Sequence, residues 1–366
     1  MKVAQLTSAH PRNDTRIFIK ICSSLVANGY SCSLVVADGL GDEVREGVYI
    51  FDVGANSGGR VSRMTKTTNL VFNKALELNA DIYHLHDPEL MPIGIKLKKR
   101  GKKVIFDAHE DLPKQLLAKP YLNRVTKLIL SSAFSLYERR VCRQFDAIIA
   151  ATPFIRDKFL TVNSNTVDIN NFPLLDELAN TSSWREKENE IAYVGGISKI
   201  RGIEEVVEGM GYTQNVTLNL AGQFVDKSLE DRVKRHSEWP KVNEFGFLSR
   251  KQVNELLARS KAGLVTFLPA PNHCDAQPNK MFEYMSAGLP IITSNFPLWR
   301  DIVEGNECGI CVDPLNPNSI GDAIQYLIDH PVEAEQMGKY GRDAIEQKYN
   351  WSIEEIKLLR LYKSLL

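Results

Sequence analysis

The sequence predicts an α/β protein built from two doubly wound parallel-sheet domains in tandem. Three observations carry this. Short apolar runs alternate with segments of helical period, the signature of parallel strands covered by helices. The alternation comes in two successive series, each long enough to bury its own core. A polar stretch of little periodicity, NFPLLDELANTSSWREKENE, separates them. The expected division is therefore a first domain over residues 1–171, a linker over 172–189, a second domain over 190–350 and a terminal helix over 351–366.

In the first series, strands are expected at KVAQLTS, CSLVVAD, DIYHLHD, KKVIFDAH and DAIIAAT, each short, rich in branched residues and bounded by turn-forming residues. Helices are expected between them at RIFIKICSSLVANG, which closes on Gly29, and PIGIKLKKRG. The second series reads as strands at EIAYVGG, VTLNLAG, KVNEFG, AGLVTFLP, LPIITSN and CGICVD. In the final segment, NWSIEEIKLLRLYKSLL, Ser352 and Glu355 stand at capping-box spacing, with Trp351 and Ile356 placed for a hydrophobic staple. Two open parallel sheets in tandem ordinarily face a cleft and bind ligands outside the carboxyl ends of their strands, so function is sought in the loops that follow those strands.

Composition narrows the class. With 366 residues, 43% hydrophobic and 25% charged, the chain has the make-up of a globular protein. Its formal net charge is zero but unevenly spread: Lys and Arg number 24 against 17 Asp and Glu over residues 1–170, and 21 against 28 over residues 171–366. This argues against a nucleic-acid binder that is basic throughout and makes the first half the one to meet an anionic surface. No run approaches the roughly 18 apolar residues of a membrane span. Six cysteines are too few for a disulfide scaffold, so a cytoplasmic setting is expected. Cys308 and Cys311 form a C-x-x-C pair at a strand end, with no second pair or histidine cluster to complete a metal site.

The richest window is HCDAQPNKMFEYMSAGLPIITS. Pro278 suits the first position of a helix that closes on Gly288 before a new strand. Such a helix start at a strand mouth is an anion site, since free N–H groups and the positive dipole end point at a phosphate and Lys280 adds a full charge. Glu283, three residues on, shares its face and is placed to accept hydrogen bonds from ribose hydroxyls; an ordinary surface ion pair is the competing reading.

The run PNKMFEYMSAGLPII resembles the donor-binding helix of the retaining family-4 glycosyltransferases. The resemblance implies the GT-B fold, with two Rossmann-like domains facing a cleft and the C-terminal helix crossing back to the first. A Glu-x7-Glu pair spans this helix start in that family; here the second acid is Glu283 and the first falls on Asp275, one methylene shorter. EIAYVGGISKIRGIEEVVEGM is similar to the family's strand, loop and helix that grip the donor diphosphate. It places Gly195 and Gly196 at the phosphates with Lys199 and Arg201 as cations, and the physics agrees, since a glycine pair lets backbone N–H groups approach an anion. The family usually carries an arginine after the first glycine, where this chain has Gly196; Lys199 and Lys280 are the candidates to compensate. The dinucleotide fingerprint is missing, which disfavours hydride transfer.

KVNEFGFLSRKQVNELLARS resembles the segment that cradles the nucleobase, which puts Phe247 and Leu248 near the base; a core role for Phe247 stays open. VIFDAHED matches the family histidine near the donor sugar, here His109. In HLHDPEL, His84 and His86 face the same way on one strand, and structure or acceptor positioning is favoured over metal. The loop SAHPRNDTRIF supplies Arg12, Asp14 and Arg16 as acceptor-side candidates beside His86, with an N-cap at Asp14 or Thr15 as the alternative. Residues 112–145 carry seven basic side chains, from Lys114 to Arg143, interleaved with apolar ones, and read either as a peripheral membrane surface or as a helix packed on the first sheet.

The implied activity is a retaining, metal-independent hexosyl transfer from a nucleotide-diphosphate sugar, with uridine as the base from the family alone. No cofactor is expected beyond that co-substrate. The acceptor is expected to be a lipid-linked or polysaccharide glycan, as in bacterial surface-polysaccharide assembly, reached from the inner face of the cytoplasmic membrane. A nucleotide-sugar epimerase of the same fold and a non-catalytic binding scaffold are the alternatives.

Overall fold

A computed structural model describes residues 1–366 apart from 56, 57, 60, 61, 119–122, 176, 179–182, 272 and 366. Lys119 of the basic segment and part of the expected linker lie outside the described residues. The chain forms two compact units, Met1–Asn171 with Trp351–Leu366, and Phe172–Asn350.

The first unit holds an eight-stranded sheet of β1 (Lys2–Leu6), β2 (Ser31–Val36), β3 (Glu43–Arg45), β4 (Val48–Asp52), β5 (Ile82–Leu85), β6 (Lys103–Ala108), β7 (Ala147–Ala150) and β8 (Thr166–Asp168). Its spatial order is β3-β4-β2-β1-β5-β6-β7-β8, parallel except for the β3–β4 hairpin. Five of these strands answer to the sequence pattern; β3, β4 and β8 do not. The order reverses between β1 and β5, so the loops after those two strands flank the switch point where open sheets bind ligands.

Alternation gives this sheet two different faces. Ala4 and Leu6, Tyr83 and Leu85, Phe106 and Ala108 turn to the main apolar core. Gln5, His84 and Asp107 turn the other way and are equally buried. The helix over Thr15–Ala27 lies on that face, its first two turns wound wide; Asp14 caps it by accepting from the Arg16 and Ile17 amides, which is the capping alternative of the sequence reading.

The last helix, Trp351–Ser364, also belongs to this unit, but its expected start is corrected. Trp351 already lies inside the helix, so Ser352 caps nothing, and Ile356 is exposed instead of stapled. Buried polar contacts hold the helix instead. Trp351 Nε1 donates to Ser24 Oγ at 2.9 Å, and Glu354 accepts from the Asn170 amide at 2.8 Å.

The second unit holds an all-parallel sheet of β9 (Glu190–Val194), β10 (Thr217–Ala221), β11 (Val242–Gly246), β12 (Ala262–Val265), β13 (Ile291–Ser294) and β14 (Gly309–Val312), in the order β11-β10-β9-β12-β13-β14. All six match the expected strands. Ile191 and Tyr193 join one apolar cluster, Ala192 and Val194 the other, so both faces are covered at the centre of the sheet and β9 reads as an unbroken apolar run. The order reverses between β9 and β12, which makes the loops after them the switch point of this unit.

Candidate functional site

In the second unit, the loop after β9 and the helix Asn279–Ser286 build one polar site. Gly195 has a φ of +134°, open to glycine at little cost. A Cβ there would lie 3.3 Å from Arg201 Nη1 and 3.8 Å from Lys280 Cε, and one on Gly196 would lie 3.3 Å from the same arginine nitrogen. The glycine pair is thus the bare floor on which Arg201 and Lys280 meet. Arg201 Nη1 donates to the Gly196 carbonyl at 3.0 Å, and its guanidinium lies 5.3 Å from the Phe267 ring centre. Gly202 lets the turn close, because a Cβ there would sit 2.1 Å from the Thr266 carbonyl oxygen at the end of β12.

The helix is pinned by its own buried face. Met281, Phe282, Tyr284 and Met285 are enclosed, Tyr284 lies flat on Gly263 of β12, and its hydroxyl accepts from the Val194 amide at 2.8 Å. Fixing that face turns Lys280 and Glu283 outward together. Lys280 Nζ is 2.5 Å from Glu283 Oε2, while Glu283 Oε1 takes Arg250 Nη1 at 3.1 Å. Arg250 also pairs with Glu177 at 2.6 Å. One carboxylate is therefore held between two cations, and Lys280 links it to the glycine floor. Pro278 is corrected from first helical residue to N-cap, with extended backbone, so the free amides of this end begin at Asn279.

The sequence missed Arg250. The capping box at Ser249 and Gln252 placed it at a helix start, but its contact with Glu283 spans 33 residues and shows only in the fold. Lys199 is exposed in the same turn as Arg201, and the glycine pair faces Arg201 and Lys280 rather than Lys199. Asp275 sits in the turn leading to the helix, beside Ala276, whose carbonyl accepts from Trp299 Nε1 at 2.7 Å. Phe247 is 80% exposed, which removes its core alternative, whereas Leu248 packs against the apolar cluster beneath this helix.

In the first unit, the polar face of the sheet gathers a buried network. Asp107 takes Arg16 in a two-pronged ion pair, Nε at 2.9 Å and Nη2 at 2.8 Å, and Arg16 also donates to the Ile169 carbonyl. Burial alone would raise the Asp107 carboxyl, but Arg16 and His109 beside it hold it well below the usual range. Burial lowers both His84 and His86, against the pull of the Asp107 carboxylate beside them. His109 stands at the rim, its side chain 21% exposed, with Nε2 3.2 Å from Asp107 Oδ2.

Three acceptor-side expectations are corrected by this geometry. Arg12 is locked between Asp38, at 2.7 Å, and Glu43, at 3.0 Å, and Arg16 and His86 are enclosed in the Asp107 network, so these three are committed internally. Asp14 caps its helix and holds His10 at 3.1 Å. The helix Arg124–Cys142 buries only Glu138, Val141 and Cys142. Val125, Leu128, Ile129 and Leu136 are exposed along it, beside Arg124, Arg139 and Arg140. Among the described residues no helix is long and apolar enough to cross a membrane.

Fold and site together define a GT-B protein, with the cationic site on the second of its two parallel-sheet units. Residues 176–344 match the family Glycosyl transferases group 1, and residues 15–169 match Glycosyltransferase Family 4. The chain belongs to these related GT-B glycosyltransferase families. Among curated relatives, a glycogen synthase of Mycobacterium tuberculosis is 20% identical over 248 residues, 64% of this chain and 58% of that protein. This chain thus matches little more than half the length of that relative. Among solved structures, sucrose-phosphate synthase from Thermosynechococcus elongatus aligns with a TM-score of 0.80 at 17% identity, over 100% of this chain and 98% of that one. Anabaena HepE in complex with UDP-glucose aligns with a TM-score of 0.75 at 14% identity, over 100% of both chains.

Proposed function

We propose that this chain transfers a sugar from a nucleotide-diphosphate donor, UDP-linked by preference, to an acceptor hydroxyl with retention of anomeric configuration. The observation that carries the reading is the meeting of Arg201 and Lys280 over the Gly195–Gly196 floor at a sheet switch point. Two cations and the free amides of a helix start neutralise the charge that gathers on a departing diphosphate. Glu283 accepts from the ribose hydroxyls, Phe247 and Leu248 flank the base, and Asp275 and His109 contact the donor sugar. The bond from the anomeric carbon to the diphosphate breaks while the bond to the acceptor oxygen forms on the same face, and the acceptor proton passes to the departing phosphate. The UDP-glucose seen in HepE supports the choice of base.

The acceptor is a lipid-linked or polysaccharide glycan, taken at the cytoplasmic face of a membrane. The exposed apolar stripe of the helix Arg124–Cys142, flanked by arginines, supports this, since such a helix lies in an anionic interface. Incubation with UDP-glucose and a panel of glycan acceptors, read by NMR, tests the reaction. A retained linkage made only when acceptor is present supports it; an inverted product, or donor conversion without acceptor, contradicts it. Flotation on anionic vesicles tests the surface, and unchanged binding in the Arg139→Ala, Arg140→Ala, Arg143→Ala variant contradicts it.

A further inference from the structure

The face of the first sheet that carries Asp107 holds an arrangement of which the proposed sugar transfer uses only His109. Three imidazole nitrogens surround one carboxylate oxygen: Asp107 Oδ2 lies 3.2 Å from His109 Nε2, 3.5 Å from His86 Nδ1 and 3.8 Å from His84 Nε2. All three nitrogens are sealed from solvent, and none has an aligned hydrogen-bond partner. The donor atoms of His84, His86 and Asp107 all lie within 4.8 Å of one another. Two atoms bound tetrahedrally to one ion at about 2.0–2.1 Å are about 3.4 Å apart. The distances from Asp107 Oδ2 to His86 Nδ1 and His84 Nε2, 3.5 and 3.8 Å, are a little longer than that spacing, so an ion would draw these atoms together.

The other ring nitrogens show why hydrogen bonding alone leaves the cluster unsatisfied. His84 Nδ1, the Tyr362 hydroxyl, the Gln5 side-chain amide and His86 Nε2 form a chain of contacts at 2.9, 2.9 and 2.8 Å. Where Gln5 donates to Tyr362 and Tyr362 to His84, His84 turns an N–H toward Asp107. His86, which donates to Gln5, then turns a bare Nδ1 toward it. Reversing the amide exchanges the two roles. Either way, one ring aims a lone pair at a buried carboxylate that already accepts from Arg16, and a proton or a metal ion between them would relieve the contact.

We propose that His84 Nε2, His86 Nδ1 and Asp107 Oδ2 bind a zinc-class divalent ion, with the fourth position next to His109. Neutral imidazole and carboxylate are the donors such ions take, and the supports of a metal site are already in place. Arg16 holds the carboxylate, Gln5 accepts from His86 Nε2, and the Tyr362 oxygen accepts from His84 Nδ1. The partly exposed His109 gives the ion its way in. The ion ties β5 and β6 to the last helix through Tyr362 and to the Thr15–Ala27 helix through Arg16. This departs from the structural or positioning role the sequence assigns to His84 and His86, and it is independent of the diphosphate site on the second unit.

The test uses the full chain, stripped by chelator and titrated with Co(II). The account expects one Co(II) per chain with the visible absorption of a low-coordinate nitrogen and oxygen site, displaced by Zn(II), and a higher melting temperature with Zn(II). His86→Ala and Asp107→Asn remove both effects, while His236→Ala and His330→Ala, at positions outside this network, keep them. Should the His86 variant fail to fold, the wild-type titration still decides. Absence of the Co(II) spectrum and of the melting shift in wild type overturns the proposal. So does a spectrum that survives His86→Ala, or NMR showing that the stripped protein satisfies the cluster by protonating His84 or His86 and takes no ion.

Discussion

Replacing Gly196 by alanine separates the phosphate site from the fold. Gly196 lies outside the left-handed region, so a methyl group is conformationally acceptable there. Its Cβ would stand 3.3 Å from Arg201 Nη1 and 3.9 Å from Cζ, touching only the far end of one flexible side chain. Folding stability should change by less than about 1 kcal/mol. The same methyl, however, pushes the guanidinium off the glycine floor and occupies the approach of an anion. Losing one charged hydrogen bond to a phosphate costs about 1.5–3 kcal/mol, which weakens UDP binding by about 10- to 150-fold. Calorimetric titration with UDP, beside a thermal melt of the same sample, reads both quantities. Gly195→Ala serves as the contrast, because the φ of +134° adds about 1–3 kcal/mol of strain and lowers stability as well. Unchanged UDP affinity in a well-folded Gly196→Ala protein would refute the assignment of this loop.

Tyr284→Phe leaves the buried Val194 amide without its acceptor and should lower stability by about 1–3 kcal/mol in urea unfolding, with a smaller effect if water enters. Glu283→Gln should barely move stability, since its ion pairs are partly exposed, but it should erase discrimination between UDP and 2′-deoxy-UDP, measured by competition binding. Acid should destabilise the first unit through Asp14. Burial would raise this carboxyl, but His10 and the Ile17 amide bring it from 3.8 to about 2. A depressed carboxylate contributes fully above the unfolded value of 3.8 and is lost as pH falls through about 2. That contribution is about 2 kcal/mol, and Asp14→Asn should flatten the stability curve in that window.

What the sequence made legible follows from what is local. Strands β9, β10, β12 and β13 are largely buried and appear as compact apolar runs, while the edge strand β11, exposed at Asn243, Glu244 and Phe245, was readable from the turn residues that bound it. The hairpin of β3 and β4 was not, because β3 has only three residues, the hairpin lies at the sheet edge and it turns on Glu46 and Gly47 with positive φ in place of the usual Asn-Gly. Lys280 and Glu283 could be paired from helical spacing alone, whereas Arg250 reaches Glu283 only through the fold of the second sheet. Arg12 and Arg16 misled for a related reason. A charged residue in a loop after a strand reads as a ligand contact until the carboxylates that enclose it, Asp38 and Asp107, arrive from distant strands. The caps divide in the same way: Asp14 was correctly a candidate from its own turn, while the start of the last helix was set by Trp351 packing into the first unit.

The central claim is that the second unit recognises a pyrophosphate through Arg201 and Lys280. Equilibrium dialysis of labelled UDP, UMP and uridine against the wild-type chain and an Arg201→Ala, Lys280→Ala variant tests it most directly. The account predicts that UDP binds at least about tenfold more tightly than UMP to the wild type, and that the double variant loses this preference while remaining folded. Equal affinity for UDP and UMP in the wild type, or a preference that survives loss of both cations, would contradict it.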